Sequence, residues 1–257
     1  LNDEDGIVTL RPFRSPHHTA TTVALTGGGN NIIRPGEISL AHNGVLFLDE
    51  LPEYGRAALE ALRQPLEDRV ITISRANGSV TFPADFILCA SMNPCPCGNF
   101  GSRIKECKCT PSQISRYLSK VSGPLLDRID IQIEVEEVTY NQMRQEHEEE
   151  DSASIKKRVC QARDIQSRRF EGSGCYANSH MSNAQMNKFC GMSPQAEILL
   201  RKAFNTLKLS ARAYTRVLKL ARTIADLGAS ERIEDIHIAE AVQYRNLDRK
   251  YWQSSEV

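Results

Sequence analysis

The sequence lacks a long apolar run, an excess of charge of either sign and a secretion signal. No stretch approaches the roughly 18 consecutive apolar residues that a membrane-spanning helix needs. Lysine and arginine total 32, and aspartate and glutamate also total 32, so the formal net charge is zero and gives no sign of a nucleic-acid partner. The N-terminus has no charged segment followed by an apolar one and a small-residue cleavage site. These absences predict a cytoplasmic protein with no membrane partner.

The composition is that of a globular protein, with 40% hydrophobic and 25% charged residues. Domains usually contain about 100–200 residues, so the 257 residues have room for two. We expect an α/β core in residues 1–138 and an all-helical domain in residues 139–257.

The first half has the pattern of a doubly wound α/β fold. Residues 1–37 contain too many glycines and prolines for long elements. The run GVLFLD at 44–49 is typical of a strand buried in a parallel sheet, and the spacing of apolar residues in 52–68 predicts a helix. A β-hairpin over 70–82, turning at Asn77-Gly78, precedes a second buried strand at 86–93. A further strand is expected at 130–135.

The second half is predicted to be helical. An acidic stretch at 146–151 opens a long polar helix, and helical patterns follow over 193–207, 210–228 and 232–245. Ser193, Ser210 and Glu234 stand where helix-capping residues are expected.

Polar side chains follow the two predicted buried strands. Asp49 and Glu50 come directly after the first strand, and Asn93 ends the second. Ligands of α/β proteins bind at the carboxyl ends of parallel strands. In P-loop NTPases an aspartate at this point holds Mg²⁺ and a neighbouring residue orients the attacking water. An acidic pair after a strand also occurs simply at a helix N-terminus, but Asn93 beside Glu50 favours the nucleotide site.

Five segments of the chain resemble one known family. They are RPFRSPHHT, PGEISLAHNGVLFLDELPE, ALRQPLEDR, SMNPCPCG and SGPLLDRIDI, and the likeness runs from about Arg11 to Leu227. Together they resemble the YifB/ComM group of bacterial AAA+ proteins, often called magnesium-chelatase-like. The hairpin is similar to the pre-sensor-1 hairpin of that AAA+ branch. The resemblance implies an incomplete P-loop AAA+ core, consisting of a parallel sheet, helices and a hairpin insertion, followed by an all-helical lid domain.

The resemblance also implies roles for individual residues. Asp49 and Glu50 correspond to the Walker B pair, with Asp49 holding Mg²⁺, and Asn93 corresponds to sensor 1. Arg128 matches the arginine finger that reaches the nucleotide of the next subunit, where a guanidinium suits the charge that develops on a transferring phosphoryl group.

Sensor 2 is expected at the start of ARAYTRVLKLAR. Arg212 is the preferred candidate, and Arg216, one turn further along the same helix face, is the alternative. Lys219 and Arg222 are interpreted as solvated cations on an amphipathic helix.

The family's phosphate-binding loop is missing from the sequence. No Gly-x-x-x-x-Gly-Lys-Ser/Thr segment occurs, and LTGGGNN at 25–31 has no lysine followed by serine or threonine. We read LTGGGNN as part of a loop insertion. We therefore expect the chain to begin after Walker A and to lack the Lon-protease-like domain that full-length relatives carry. Such a chain would bind ATP poorly and not hydrolyse it.

Four cysteines are arranged as two Cys-x-Cys pairs, Cys95–Cys97 and Cys107–Cys109, on either side of a nine-residue loop. Four thiolates suit a tetrahedral, structural Zn²⁺, which would brace the loop and not catalyse. Reduced free thiols, or a disulfide formed on isolation, are the alternatives. The remaining cysteines are expected to be ordinary buried or surface thiols, namely Cys89, Cys160, Cys175 and Cys190.

His17 and His18 are unsuited to sharing one metal ion, because adjacent side chains of an extended segment point to opposite faces. They indicate a loop that contacts DNA or a neighbouring subunit, or ordinary packing.

The resemblance implies a ring-forming, hexameric ATPase that uses ATP and Mg²⁺. ATP hydrolysis would move the hairpin around Arg75 and Asn77 along DNA, in helicase or branch-migration work during transformation or recombination. A chelatase-type ATPase that remodels a protein partner is the alternative, and an inert oligomerisation and lid module is a third. DNA-stimulated ATPase activity distinguishes the first two.

Overall fold

The computed structural model describes residues 10–29, 32–75, 78–102, 104–135, 137, 140 and 150–245. They form two compact units, of which the first ends at Ile129 and the second begins at Asp130. The predicted domain boundary at 138/139 stays a prediction, since residues 138 and 139 lie outside the described ranges. Within these ranges, no helix combines the length and the apolar character needed to cross a membrane.

The first unit is built on a small parallel sheet, as predicted. Its strands are β1 (Phe13–Arg14), β4 (Val45–Leu48) and β7 (Ile87–Ala90), in the order β1-β4-β7. The central strand pairs with β7 from Val45↔Ile87 to Leu48↔Ala90, and its Leu46 and Leu48 are fully buried. β1 was not predicted. The remaining strands are β2 (Gly27–Gly28), β3 (Arg34–Pro35), β5 (Val70–Arg75) and β6 (Gly78–Pro83).

The helices of this unit are short. The helix predicted over 52–68 is broken into a 3₁₀ turn at Leu51–Glu53 and helices at Arg56–Ala61 and Pro65–Asp68. Tyr54 adopts an extended backbone with ψ of 146°, and Pro65 has no N–H to continue the helical ladder. The other described helices of the unit are Thr22–Thr26, Glu37–Leu40, Pro111–Leu118 and Gly123–Leu126.

The predicted hairpin is present between the central strand and β7. β5 and β6 are antiparallel, from Val70↔Pro83 to Arg75↔Gly78. The Ile71 and Ile73 side chains are buried, whereas alternate positions face solvent. Asn77, at the predicted turn, lies outside the described residues.

The strand predicted at 130–135 is wrong, because these residues form no regular structure. Their apolar side chains are exposed, Ile133 by 67% and Val135 by 87%. The Gln132 backbone N–H donates to the Tyr244 carbonyl at 3.0 Å. Alternating apolar residues make a strand only where a neighbouring strand takes up their backbone groups, and the described chain offers none here.

The second unit is helical, as predicted. Its helices are Ser152–Arg169, Asn183–Phe189, Pro194–Leu207, Ala211–Leu227 and Asp235–Gln243, with a 3₁₀ turn at Asn178–His180. Val217, Ala221 and Ala225 lie in its core with Leu200 and Ile238.

Side chains cap the helices of this unit. The Ser193 and Ser210 hydroxyls accept backbone N–H groups at 3.3 and 3.1 Å, as predicted, and Glu234 precedes the helix Asp235–Gln243, where its backbone N–H donates to His237 Nδ1 at 3.0 Å. Asp151 caps the long helix Ser152–Arg169. Residues 146–149 of the predicted acidic stretch lie outside the described ranges.

Candidate active site and cysteine cluster

The acidic pair lies at the carboxyl end of the central strand. Asp49 and Glu50 follow β4 directly, and Ser91 follows the neighbouring β7. The Ser91 hydroxyl donates to Asp49 Oδ1, which also accepts the Glu50 backbone N–H at 3.1 Å. The Leu51 N–H donates to the Ser91 carbonyl at 2.9 Å, which ties the two strand ends together. The Asp49 carboxylate is thus oriented by two donors and remains exposed.

Glu50 is held in an unusual conformation. Its φ of +52° is in the left-handed region, which non-glycine residues seldom adopt and which is often found at functional sites. Its Oε2 lies 3.1 Å from His18 Nδ1. The Tyr54 hydroxyl donates to the Pro16 carbonyl at 2.6 Å, and burial, then the Asp49 carboxylate, raise the pKa of Tyr54. The loop after β1 therefore lies against the acidic pair.

The contacts of Ser91 and His18 with the acidic pair were not predicted from the sequence. The serine had a readable signal, because it precedes Asn93 by two residues in the segment that follows the second strand. No sequence pattern indicated the contact of His18, because its partner Glu50 is 32 positions away and no motif links the two segments.

Asn93 lies three residues beyond the end of β7 and is exposed. The pKa of the buried Tyr117 is raised to about 12 by burial and then by the Glu53 carboxylate, and the backbone N–H of Asn93 acts on it in the opposite direction. Ser91, not Asn93, is the side chain that contacts Asp49. The sensor 1 role of Asn93 stays a prediction.

The expectation that His17 and His18 point to opposite faces is wrong. Their ring centroids are 4.1 Å apart, because the chain turns at His18–Thr19 and the Ala20 N–H donates to the His17 carbonyl at 2.9 Å. The alternation of an extended strand does not apply to a turn.

Arg128 is buried within the first unit, with 8% of its surface exposed. Its Nη2 donates to the Glu67 carboxylate, and its Nη1 donates to the Pro124 carbonyl at 2.6 Å. Its Nε is buried with no hydrogen-bond partner among the described residues. An arginine-finger role stays a prediction and requires the guanidinium to leave Glu67.

Both sensor 2 candidates lie on the helix Ala211–Leu227. Arg216 Nη1 donates to Asp130 Oδ1 at 2.5 Å, and Arg212 is exposed. The choice between them stays open.

The interpretation of Arg222 as a solvated cation is wrong. Arg222 is 1% exposed, and its guanidinium pairs with the fully buried carboxylate of Asp226. Asp226 is four residues further along the helix and lies on the same helix face, so both side chains of the pair are buried. Lys219 Nζ donates to the Ser179 carbonyl at 3.0 Å.

The four predicted cysteines come together. The Sγ atoms of Cys95, Cys97, Cys107 and Cys109 all lie within 4.8 Å of one another. Three of the separations are 3.4, 3.7 and 3.6 Å. Four sulfurs about 2.3 Å from a tetrahedral Zn²⁺ are about 3.8 Å apart, whereas a disulfide requires about 2.05 Å. The cysteines are free thiols at separations that fit a four-sulfur metal site.

Backbone groups also point at these sulfurs. The N–H groups of Asn99 and Lys108 lower the pKa of Cys97 to about 6. Burial raises the pKa of Cys109 to about 12. Four mutually close thiolates repel one another, so a cation is required before all four can ionise.

The fold and the site define a class. A parallel sheet with an acidic pair at the end of its central strand, a hairpin before the next strand and a helical second unit are consistent with a partial AAA+ core followed by a helical domain. Residues 1–143 match the family model described as magnesium chelatase, subunit ChlI, and residues 149–245 match the model of its C-terminal part. The chain belongs to this magnesium-chelatase-like family.

Individual relatives confirm the YifB/ComM group. The chain is 47% identical over 240 residues to the competence protein ComM of Haemophilus influenzae, covering 93% of the chain and 46% of that protein. It is 45% identical over 240 residues to YifB of Escherichia coli and of Salmonella typhimurium, with the same coverage. The chain spans about half the length of the curated relatives it matches.

Proposed function

We propose that these residues belong to a ring-forming AAA+ ATPase that moves along DNA, as a helicase or branch-migration motor in transformation or recombination. Support comes from family membership and from the relative named as a competence protein. The observation that carries the ATPase part is the Asp49, Ser91 and Glu50 arrangement at the end of the central strand.

The chemistry of this strand end suits a nucleotide site. The carboxylate of Asp49 and the hydroxyl of Ser91 are the oxygen ligands that Mg²⁺ prefers. Bound Mg²⁺ would neutralise charge on the phosphates of ATP. Asp49 is proposed to hold that ion, with its Oδ1 oriented by Ser91 and by the Glu50 N–H. Glu50 is proposed to polarise the attacking water once its carboxylate leaves His18.

The proposal requires a phosphate-binding loop from residues other than these 257, since the sequence contains no Gly-x-x-x-x-Gly-Lys-Ser/Thr segment. The test therefore uses the longest natural form of the protein and not these 257 residues alone. Glu50→Gln should lower kcat for ATP hydrolysis about 100-fold or more while ATP binding is retained, because a general base contributes roughly 10²–10⁴-fold.

Glu53→Gln is the matched control, since Glu53 is an exposed carboxylate that contacts Lys120 at 3.3 Å. It should keep kcat within about two-fold of the unmodified protein. Equal activity of both variants and the unmodified protein would show that Glu50 is not the catalytic base.

The remaining site residues are assigned as part of the same proposal. Arg128 is proposed as the arginine finger in a hexamer, Asn93 as sensor 1, and Arg212 or Arg216 as sensor 2. The hairpin around Arg75 and Asn77 is the proposed DNA-contacting element. Arg212→Ala and Arg216→Ala, compared for ATPase activity, separate the two sensor 2 candidates.

A protein-remodelling ATPase is the second candidate, because the matching family model is described by magnesium chelatase. The ATPase rate with and without single-stranded DNA separates the two. Stimulation several-fold by DNA supports the motor. An unchanged rate with DNA, together with stimulation by a protein partner, supports the remodeller.

We also propose that the Cys95, Cys97, Cys107 and Cys109 cluster binds one structural Zn²⁺. The sulfur separations and the backbone N–H groups directed at the sulfurs support a closed four-thiolate site. Elemental analysis of freshly purified protein should find about one zinc per chain, and denaturation should release four thiols with it. Absence of zinc with freely reactive thiols would contradict the proposal.

A further inference from the structure

A cavity of about 670 Å³ opens on the surface of the helical unit. It lies between the last turn of the helix Ser152–Arg169, the end of the helix Asn183–Phe189 and the loop 229–232. Five of its lining residues are cations, and one is a carboxylate. The cations are Arg168, Arg169, Lys188, Arg222 and Arg232, and the carboxylate is Glu231.

The inner part of the cavity carries more positive than negative charge. Arg169 and Arg222 both pair with Asp226, whose side chain is fully buried. The side chains of the two arginines are 13% and 1% exposed. Two guanidinium groups therefore share one carboxylate, which leaves an uncompensated positive charge at a site with little access to water.

The outer part adds further positive charge. Arg168, Lys188 and Arg232 are exposed, and none of the three forms an ion pair with another described residue. Arg168 Nε donates to the Asp164 carbonyl at 3.3 Å, a contact that does not neutralise its charge. The cavity as a whole therefore attracts anions.

The loop that carries Arg232 is fixed in place. Arg222 Nη1 and Nη2 donate to the Glu231 and Ser230 carbonyls at 2.8 and 2.5 Å. The Ser230 hydroxyl donates to the Arg232 carbonyl at 2.7 Å. The buried guanidinium of Arg222 therefore holds the loop of the outer part, called the rim below, as well as lining the inner part. A chance cluster of surface cations would have no such buried support.

An aromatic ring accompanies the cations. Lys188 Nζ lies 5.1 Å from the Phe189 ring centroid, and the Phe189 ring packs edge-on against Phe170 at 5.6 Å. Cations beside an aromatic side chain are the usual combination at sites that hold the phosphates and bases of nucleic acids.

We propose that this cavity is a binding site for phosphate groups, supplied by a nucleic-acid strand or by a free nucleotide. Guanidinium and ammonium groups are the side chains that recognise phosphate. The volume lies within the range of about 300–1,000 Å³ that small-molecule sites occupy. The nucleic-acid form of this inference rests on the proposed DNA partner, whereas the nucleotide form does not.

The test compares two triple charge reversals of the same size. Arg168→Glu, Lys188→Glu and Arg232→Glu alter the rim, and Lys156→Glu, Lys157→Glu and Lys202→Glu are the control at exposed positions of the same unit that do not line the cavity. All six side chains are exposed, so both variants should fold, as circular dichroism will verify. The probes are a fluorescein-labelled single-stranded oligonucleotide and a fluorescent ATP analogue, followed by anisotropy.

We expect the rim variant to bind at least one probe 10-fold or more weakly, and the control to stay within about three-fold. If the oligonucleotide is the ligand, the slope of log K against log salt concentration should be smaller in magnitude by about 2 for the rim variant. Each phosphate contact with a single strand contributes about 0.7 to that slope, and three cations are removed. Loss for the ATP analogue alone identifies a nucleotide site. Equal losses in the two variants, or no binding of either probe to the unmodified protein, would overturn the inference.

The outcome is separable from that of the proposed ATPase. Glu50→Gln should leave binding at the cavity unchanged, because Glu50 does not line it. If Glu50→Gln keeps full activity while the rim variant loses its ligand, the proposed catalytic site is wrong and the phosphate site stands.

Discussion

Two clusters of reactive side chains in this molecule deal with charge in opposite ways. In the helical unit, Asp226 is fully buried but receives hydrogen bonds from Arg169, Arg222 and Asn178, so its charge is compensated by the chain itself. In the first unit, four cysteine sulfurs lie within 4.8 Å of one another, and backbone N–H groups and the neighbouring thiols shift the pKa values of Cys97 and Cys107. The carboxylate of Asp226 thus has its counter-charges within the chain, whereas the four thiols can all ionise only with a cation from outside.

The two clusters differ in where the charge that balances their acidic groups comes from. A buried carboxylate with matched donors stabilises its surroundings as long as every partner is present. A set of four converging thiols is typical of a metal ligand set, because thiolates bind metals once they have lost their protons. Substitutions at the two clusters, and at simpler contacts elsewhere, should therefore differ in effect, and they follow in order of decreasing size.

Removal of the proposed Zn²⁺ should have the largest effect. Structural zinc sites are worth roughly 10–16 kcal/mol of apparent binding free energy, so Cys97→Ser or treatment with a strong chelator should release the loop between the two cysteine pairs. Trypsin should then cut at the exposed Lys105 in that loop and at the exposed Lys108 between Cys107 and Cys109. The measurement is zinc content together with the rate of tryptic cleavage.

Cys89→Ser is the matched control for the cysteine substitution. Cys89 is an exposed thiol in β7 outside the four-sulfur cluster. It should leave both zinc content and cleavage unchanged. Identical cleavage of the Cys97 and Cys89 variants would mean that the loop is not braced by a metal.

Loss of the buried carboxylate of Asp226 should have the second largest effect, measured on the free energy of unfolding. Asp226→Asn keeps the side-chain size but leaves Arg169 and Arg222 without their shared anion. Breaking a buried ion pair typically costs about 3–5 kcal/mol, and urea unfolding followed by circular dichroism should show a decrease of this order. A decrease below about 1 kcal/mol would indicate that water or another group already compensates the two guanidiniums.

Much of the first unit was predictable from local patterns. The run at 44–49 indicated the buried strand because its residues are continuously apolar, and the spacing of Cys95, Cys97, Cys107 and Cys109 indicated a cluster. β1 was missed because a two-residue strand has no periodicity, and its pairing with Val45 depends on a segment 32 positions away. The predicted strand at 130–135 failed because alternation does not supply a neighbouring strand.

The contacts between distant side chains were not predictable. Arg169 and Asp226 are 57 positions apart, and His18 and Glu50 are 32 apart, so no window of sequence contains either pair. The helical pattern of 211–227 placed Arg222 among solvated cations, yet tertiary packing buries it. Burial of a charge depends on a partner brought by another element, which local periodicity does not report.

Loss of an uncharged hydrogen bond beside the acidic pair should lower the free energy of unfolding by an intermediate amount. Tyr54→Phe removes the hydroxyl that donates to the Pro16 carbonyl at 2.6 Å and leaves that acceptor without its partner. A hydrogen bond of this kind contributes about 1 kcal/mol, so the free energy of unfolding should fall by that amount. Thr72→Val, at the exposed hydroxyl pair Thr72 and Thr81, is the control and should change it less.

The smallest effect is expected for an exposed ion pair with the same spacing as the buried one. Glu197 and Arg201 are four residues apart on a helix, as Arg222 and Asp226 are, but their side chains are 60% and 74% exposed. Glu197→Gln should lower the free energy of unfolding by about 0.3–0.5 kcal/mol at low salt and by less at high salt, since water screens the pair. Urea unfolding at two salt concentrations measures both values. If Glu197→Gln and Asp226→Asn lower the free energy of unfolding by the same amount, burial does not determine the strength of these ion pairs.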